Sequence, residues 1–187
     1  TISRESQRYM NDMKANSCAI VIKSGGEMAS GIAVRLYRAG FGNIVMLETP
    51  CPMAVRRTVS FCEAAHDGEQ SVEGVTARRA DRPEDIRALW DGGFLAVAVD
   101  PDWRCTPYLR PEMPRGAVLA KRNIGTAMDE APLVVALGPG FTAGLDAHYV
   151  NETNRGHNLG RVYSKGQALA LKHSSQATRR YAISYAV

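Results

Sequence analysis

The sequence lacks any run approaching the roughly 18 to 20 consecutive apolar residues that a membrane helix requires, and its opening, TISRESQRYMNDMKANS, is too polar for a secretory signal. Cysteine is sparse and scattered. Cys18, Cys51, Cys62 and Cys105 form no C-x-x-C pair, which argues against a zinc or thiol-exchange centre and for reduced structural thiols. The common catalytic signatures are missing as well: there is no G-x-S-x-G elbow, no G-x-x-x-x-G-K-[ST] phosphate loop, no H-E-x-x-H and no paired carboxylates in one motif. His66 and His148 stand alone, and Asp100 and Asp102 flank a proline turn, where capping is the expected role. The formal charge of +4 over 187 residues rests on scattered Arg-Arg pairs (Arg56 and Arg57, Arg78 and Arg79, Arg179 and Arg180) and not on a basic stripe interleaved with aromatics. Nucleic acid and membrane are therefore not expected partners, and small anions remain open. With 45% hydrophobic and 22% charged residues, the composition is that of a cytoplasmic globular protein able to bury a core.

What is present is a series of short apolar runs separated by turns and helical patterns. CAIVIK (18–23) reads as a buried strand that breaks into SGGE. The following segment, with Met28, Ile32, Leu36 and Ala39 at helical spacing and Gly40 as terminator, reads as a helix, and NIVMLE as a second strand ending on Glu48. Residues 52–68 carry proline in the first turn, Ala54, Thr58, Phe61 and Ala65 on one face, and a D-G stop, so they read as a helix. Residues 69–80 read as extended. Residues 82–93 form a short amphipathic helix with Ile86, Leu89 and Trp90 inward, followed by the strand FLAVAVDP and the apolar runs GAVLAKR and PLVVALG. The proline-rich stretch 103–116 reads as a surface loop. Strands alternating with helices predict an α/β, Rossmann-like three-layer fold with a mostly parallel sheet.

Two glycine-rich turns stand out. A helix that starts directly behind a parallel strand aims unpaired N–H groups and its positive dipole end at the sheet's carboxyl edge, where a phosphate can sit. In SGGEMASG the dinucleotide pattern G-x-G-x-x-G/A survives as Ser24, Gly26 and Ala29, with Gly25 at the variable position. Glu48 follows about twenty residues on, where an acid accepts hydrogen bonds from ribose hydroxyls. The first glycine of the pattern is missing, and Glu27 opposes a pyrophosphate. The alternative is that the glycines only let a strand turn into a helix and that Glu48 is a solvated strand end. In the second turn, GPGFTAG, Gly138, Gly140 and Gly144 bracket Thr142 beyond another strand, so that amides and a hydroxyl converge there. The loop NETNRGHNLG then supplies Asn154, Arg155 and His157: arginine to clamp a phosphate, amides to read a base or pterin edge, and a histidine that is either a proton carrier or simply solvated.

Taken in order, GEMASGIAVRLYRAGF, VMLETPCPMAVRRTVSF, DGEQSVEGVTARR, VAVDP, AVLAKRNIGT, APLVVALGPGFTAG and ETNRGHNLGRV resemble the accessory protein family of selenium-dependent molybdenum hydroxylases, itself similar to the maturation factors of xanthine dehydrogenase. The resemblance runs from about Cys18 to Gly166. It implies a Rossmann-type cofactor-binding domain over residues 18–166, with a polar N-terminal extension (1–17) and an atypical tail (167–187). The implied function is an accessory protein, more a cofactor handler than a classical enzyme. It would bind a nucleotide-containing molybdenum cofactor, such as a molybdopterin dinucleotide, and assist its modification or insertion into a molybdenum hydroxylase subunit. The expected cofactor-binding residues are Ser24, Gly25, Gly26, Glu48, Gly138, Gly140, Thr142, Asn154, Arg155 and His157, with no metal site. The alternatives are an NAD(P)-dependent oxidoreductase and a ligand-independent interaction module, and a homodimer is an open possibility. Three departures from the family pattern stand out: KSGGE replaces R-G-A-G-D at Lys23 to Glu27, Gly116 replaces an aspartate, and the stretch after Gly166 lacks N-T-G-x-P-G, as in a truncated or frameshifted reading of a parent gene.

Overall fold

The computed structural model describes residues 18–109, 117–120, 123 and 125–169. The N-terminal extension 1–17, Gly116 and the tail from residue 170 lie outside the described residues. Strands β1 (Ile20–Lys23), β2 (Ile44–Glu48), β5 (Leu95–Val99), β6 (Ala117–Ala120), β7 (Leu133–Leu137) and β9 (Tyr149–Asn151) run parallel. The hairpin β3 (Glu69–Val72) and β4 (Val75–Ala80) extends the sheet beside β5, and β10 (Val162–Tyr163) closes the other side, giving the order β10-β9-β7-β6-β1-β2-β5-β4-β3. Both outermost strands, β3 and β10, are short and antiparallel to their neighbours.

The core of that order, β5-β2-β1-β6-β7-β9, is the dinucleotide-fold order 3-2-1-4-5-6, so the expected Rossmann-like α/β architecture holds. The chain passes from β1 to β2, on to the outer hairpin β3–β4, back inward to β5, and then crosses to the opposite side of β1 at β6. The β1/β6 boundary is thus the switch point, where loops at the carboxyl ends of the strands diverge and leave a crevice.

Alternation along strands that are apolar on both sides produces the two outer layers. Ile20, Ile22, Ile44, Met46, Leu95 and Val97 face helix α1 (Glu27–Arg38) and the segment around α2 (Ala64–Asp67). Val21, Val45, Leu47, Ala96 and Ala98 face α3 (Asp85–Asp91) and α4 (Thr106–Leu109), where Ile86 and Trp90 are buried as their spacing predicts. The Trp90 indole donates to the Ile44 carbonyl at 2.9 Å.

Three elements depart from the sequence reading: the stretch from Trp103, read as a surface loop, carries α4 and buries Cys105 and Leu109 in the core, and α1 and residues 52–68 differ as well. In α1 the buried residues are Ala29, Ser30, Ala33 and Val34, and Met28 is exposed. The small side chains let the helix lie close to β1, which outweighs burial of the larger Met28 stripe. Residues 52–68 are not one helix. They form an irregular stretch, two single 3₁₀ turns (Arg57–Val59 and Phe61–Glu63) and the one-turn α2. Their backbone donors are claimed by tertiary partners: Arg56 N–H donates to Glu27 Oε1 (2.8 Å), Phe61 N–H to Ser30 Oγ (2.8 Å) and Cys62 N–H to the Gly25 carbonyl (2.9 Å). Between β6 and β9 the described connections carry no α-helix. They contain a 3₁₀ turn (Met128–Glu130) and β8 (Thr142–Ala143), which pairs with β11 (Gly166–Gln167), a strand that follows β10, in a small second sheet.

Candidate functional site

A cavity of about 350 Å³ opens at the carboxyl ends of β1, β2 and β5, and its wall includes Lys23, Ser24, Gly26, Glu48, Asp100 and Trp103. Each strand brings its share for a local reason. Behind β1 the chain turns through Ser24 and Gly25 into α1, whose N-terminus at Gly26 has no capping side chain. The Gly26 N–H instead reaches back to Ser24 Oγ at 3.3 Å. Gly25 is a glycine because of close approach: a Cβ there would lie 3.1 Å from the Cys62 backbone nitrogen and 3.2 Å from Glu48 Cγ.

Glu48 ends β2, and its carboxylate accepts the Gly25 N–H through Oε1 and the Thr49 N–H (3.1 Å) through Oε2. A carboxylate has about four acceptor positions, so it can order the turn and still accept hydrogen bonds from ligand hydroxyls. Behind β5, Pro101 sits in a turn closed by Trp103 N–H to the Asp100 carbonyl (3.2 Å), and Asp100 Oδ2 accepts the Cys105 N–H (2.7 Å). Asp100 is itself anchored to β2 through its N–H to the Glu48 carbonyl (2.9 Å). Trp103 adopts φ 57°, a left-handed backbone uncommon for a bulky residue.

The electrostatics of the wall are uneven. Glu27, Glu48 and Asp100 all border the cavity, and among the described residues Lys23 is its one basic residue. The Lys23 side chain is only 5% exposed; its ammonium meets Glu130 Oε2 at 2.6 Å and Thr126 Oγ1 at 3.2 Å and lies 3.5 Å from the centre of the Trp103 ring. Burial lowers its pKa, and the Glu130 contact works in the opposite direction. Two buried thiols nearby are held protonated. Burial, then the Glu48 carboxylate, pushes Cys62 up to about 11, and burial, then the hydrogen bond with Asp100, pushes Cys105 up to about 12. Neither is a nucleophile near neutral pH. No cluster of histidine, cysteine or acidic side chains with metal-holding geometry occurs among the described residues.

The structure thus brings Ser24, Gly26 and Glu48 together around one cavity, with Gly25 packed beneath it. The second expected set gathers elsewhere, on the loops leaving β7 and β9 at the same edge of the sheet, and none of it lines this cavity. There Gly138 N–H donates to the Asn151 carbonyl (2.8 Å), Thr142 N–H donates to Asp146 Oδ2 (2.7 Å), and Thr142 Oγ1 accepts from Gln167 Nε2 (2.8 Å). The Gly140 carbonyl faces Asn123 Nδ2 at 3.4 Å. Gly138 also approaches Thr153 so closely that a Cβ would lie 2.5 Å from its Oγ1. The Asn154 N–H is taken by the buried carboxylate of Glu152, while Arg155 and His157 are exposed. Much of the glycine and amide content of this stretch therefore folds the loops onto themselves.

Sequence patterns gave no site role to Lys23, Trp103, Glu130 or Asp100. The available signal was Lys23, a charge closing an otherwise apolar buried strand immediately before a glycine turn.

Over 149 residues, 80% of the chain, the sequence is 50% identical to the uncharacterized protein YqeB of Escherichia coli (strain K12), and the match takes in 27% of that protein. The chain spans about a quarter of the length of the curated relative it matches. No family model and no solved structure matches the chain. Among the described residues, no helix is long and apolar enough to cross a membrane.

Proposed function

We propose that this protein is an accessory factor in the maturation of a molybdenum hydroxylase, binding a molybdopterin dinucleotide as cargo and assisting its modification or insertion. The observation that carries the reading is the placement of Glu48: the acid ends the second strand of a 3-2-1-4-5-6 sheet and borders a cavity of about 350 Å³ beside the uncapped start of α1. That cavity suits a nucleoside. The Glu48 carboxylate accepts from ribose hydroxyls, the neighbouring carboxylates of Glu27 and Asp100 accept from N–H groups of a base, and the pyrophosphate lies toward the β1/β6 crevice. The motif resemblance along residues 18–166 supplies the choice of cargo and of partner, a molybdenum hydroxylase subunit, with a homodimer as an alternative assembly. Arg155 and His157, exposed at the same sheet edge, are the groups available to the pterin end.

The strand order and Glu48 also favour a second reading, a nicotinamide-dependent oxidoreductase that uses NAD in the same cavity. Mass spectrometry of small molecules copurifying with the native protein separates the two, a pterin nucleotide supporting the first and a nicotinamide nucleotide the second. Calorimetric titration with molybdopterin cytosine dinucleotide should give saturable binding that Glu48→Gln weakens by about 1–3 kcal/mol, through loss of charge-assisted acceptance. Equal affinity in Glu48→Gln removes Glu48 from the site. Capture of a hydroxylase subunit with no dependence on any nucleotide points instead to a ligand-independent interaction module.

A further inference from the structure

The Lys23 ammonium is an unexpected group to find at the centre of this fold. It sits at the end of β1, and its two oxygen partners, Thr126 and Glu130, belong to the connection between β6 and β7. Because β6 lies directly beside β1 on the far side of the switch point, the Lys23–Glu130 pair links β1 to the β6–β7 connection at the boundary beside which this class of sheet places its ligands. Trp103, which follows β5 on the other half of the sheet, lays its ring over the same ammonium. One buried charge therefore contacts both the loop behind β5 and the β6–β7 connection.

Three physical points bear on what this arrangement is for. A buried ion pair contributes little net stability, because desolvation offsets the attraction, so stabilisation alone is a weak reason to place one here. The three ammonium donors are directed at one carboxylate, one hydroxyl and one ring face; the carboxylate among them is the oxyanion that another oxyanion can replace with little change in the lysine's surroundings. Lastly, the carboxylates in the cavity wall, Glu27, Glu48 and Asp100, repel a polyphosphate, and among the described residues Lys23 is the basic group that lines it.

We infer that Lys23 is the diphosphate ligand of this cleft, held in reserve by Glu130, and that an incoming pyrophosphate group takes the ammonium from the Glu130 carboxylate. This deepens the nucleotide-binding reading above and rests on it. In the ligand-free protein Glu130 stands in for the phosphate oxygens; in the complex the 126–130 turn is released from β1 and the Trp103 ring gains a new neighbour. No covalent chemistry is involved. The exchange makes Glu130 a competitor of the ligand, which is the distinctive consequence.

The test uses the full chain, with adenosine, ADP-ribose and inorganic pyrophosphate as probes, and follows binding by calorimetry and by tryptophan fluorescence, with Trp103→Phe as the control for the optical signal. Glu130→Gln should bind ADP-ribose and pyrophosphate at least roughly tenfold more tightly than the unaltered protein, since the competing charge is gone, and Lys23→Gln at least roughly tenfold more weakly. Adenosine, which carries no phosphate, should bind all three alike. If Lys23→Gln does not fold, as judged by circular dichroism, Glu130→Gln alone decides. ADP-ribose affinity that is unchanged or weaker in Glu130→Gln overturns the inference and leaves the nucleotide reading standing, with Lys23–Glu130 a structural clamp. Pyrophosphate and ADP-ribose binding that both tighten in Glu130→Gln, with ADP-ribose bound no more tightly than pyrophosphate and adenosine not bound at all, keeps the anion site and overturns the nucleotide reading. Failure of every probe with every variant overturns both.

Discussion

A single methyl group added at Gly25 would press on the Cys62 backbone at 3.1 to 3.2 Å, a neighbour that cannot rotate away. Gly25→Ala is therefore expected to cost about 1–3 kcal/mol of stability by overpacking, measured as a lower urea midpoint with unchanged slope. The glycine that sequence patterning treats as variable is thus fixed by packing, while Gly26, whose added Cβ would meet only Ser24 Oγ at 3.7 Å, is the one beside open space. Glu152 makes a second residue-level prediction. Buried and accepting the N–H groups of Asn154 (2.8 Å) and Leu169 (2.7 Å), its carboxyl is held below the ordinary glutamate range by those bonds. A folded-state value below the unfolded one means the contribution is complete above the ordinary glutamate pKa and disappears as pH falls through the lowered value. Urea midpoints between about pH 6 and pH 2 should show this loss, and Glu152→Gln should flatten that part of the profile.

At the scale of elements, the segment from Pro52 to Gly68 shows what a periodic pattern cannot reveal. Phe61 and Ala65 are buried as the helical spacing requires, but Thr58 is exposed, because the N–H groups in between are spent on Glu27, Ser30 and Gly25. Those bonds join residues far apart in the chain, so no local rule contains them. Ser30 is central to them. Wholly buried on α1, its hydroxyl donates to the Gly25 carbonyl (2.9 Å) and accepts the Phe61 N–H. Ser30→Ala leaves that N–H without its acceptor and should destabilise the protein by about 1–3 kcal/mol. Amide exchange at Phe61 should quicken along with it. If exchange there stays as slow as before, another acceptor has replaced the hydroxyl. By contrast, β1, β2, β5 and β7 could be read from their apolar runs alone, since strands buried on both faces need no alternation to mark them.

For the whole molecule, the alternation of strands and helices was enough to specify a parallel α/β sheet, and the Ser24–Gly25–Gly26 turn with Glu48 marked one half of the candidate site. The second half was less legible. Glycines at Gly138, Gly140 and Gly144 do adopt positive φ, but several of the polar groups they carry are satisfied internally, and a sequence does not distinguish a loop built for a ligand from one that binds itself. The Lys23–Trp103–Glu130 contact required knowing that β6 returns to the side of β1. A test at this scale is thermal unfolding with added dinucleotide. A ligand at about 100 times its Kd should add about 2.7 kcal/mol. NAD or a molybdopterin dinucleotide should raise the Tm, while NADP should leave it unmoved, because a 2′-phosphate would face Glu48 with Glu27 and Asp100 alongside. Equal shifts for NAD and NADP place the ribose away from Glu48.

The two brief antiparallel strands at the margins of the sheet have a consequence of their own. β10 offers only two residues to a newcomer, and β3 carries mostly polar ones, with Glu69 and Arg78 paired across the hairpin at 2.6 Å. Neither rim is a good template for another chain's backbone. Concentrated solutions should therefore resist fibre growth by stacking on these two strands, and among the described residues the loops and helical flanks are the surfaces open to docking.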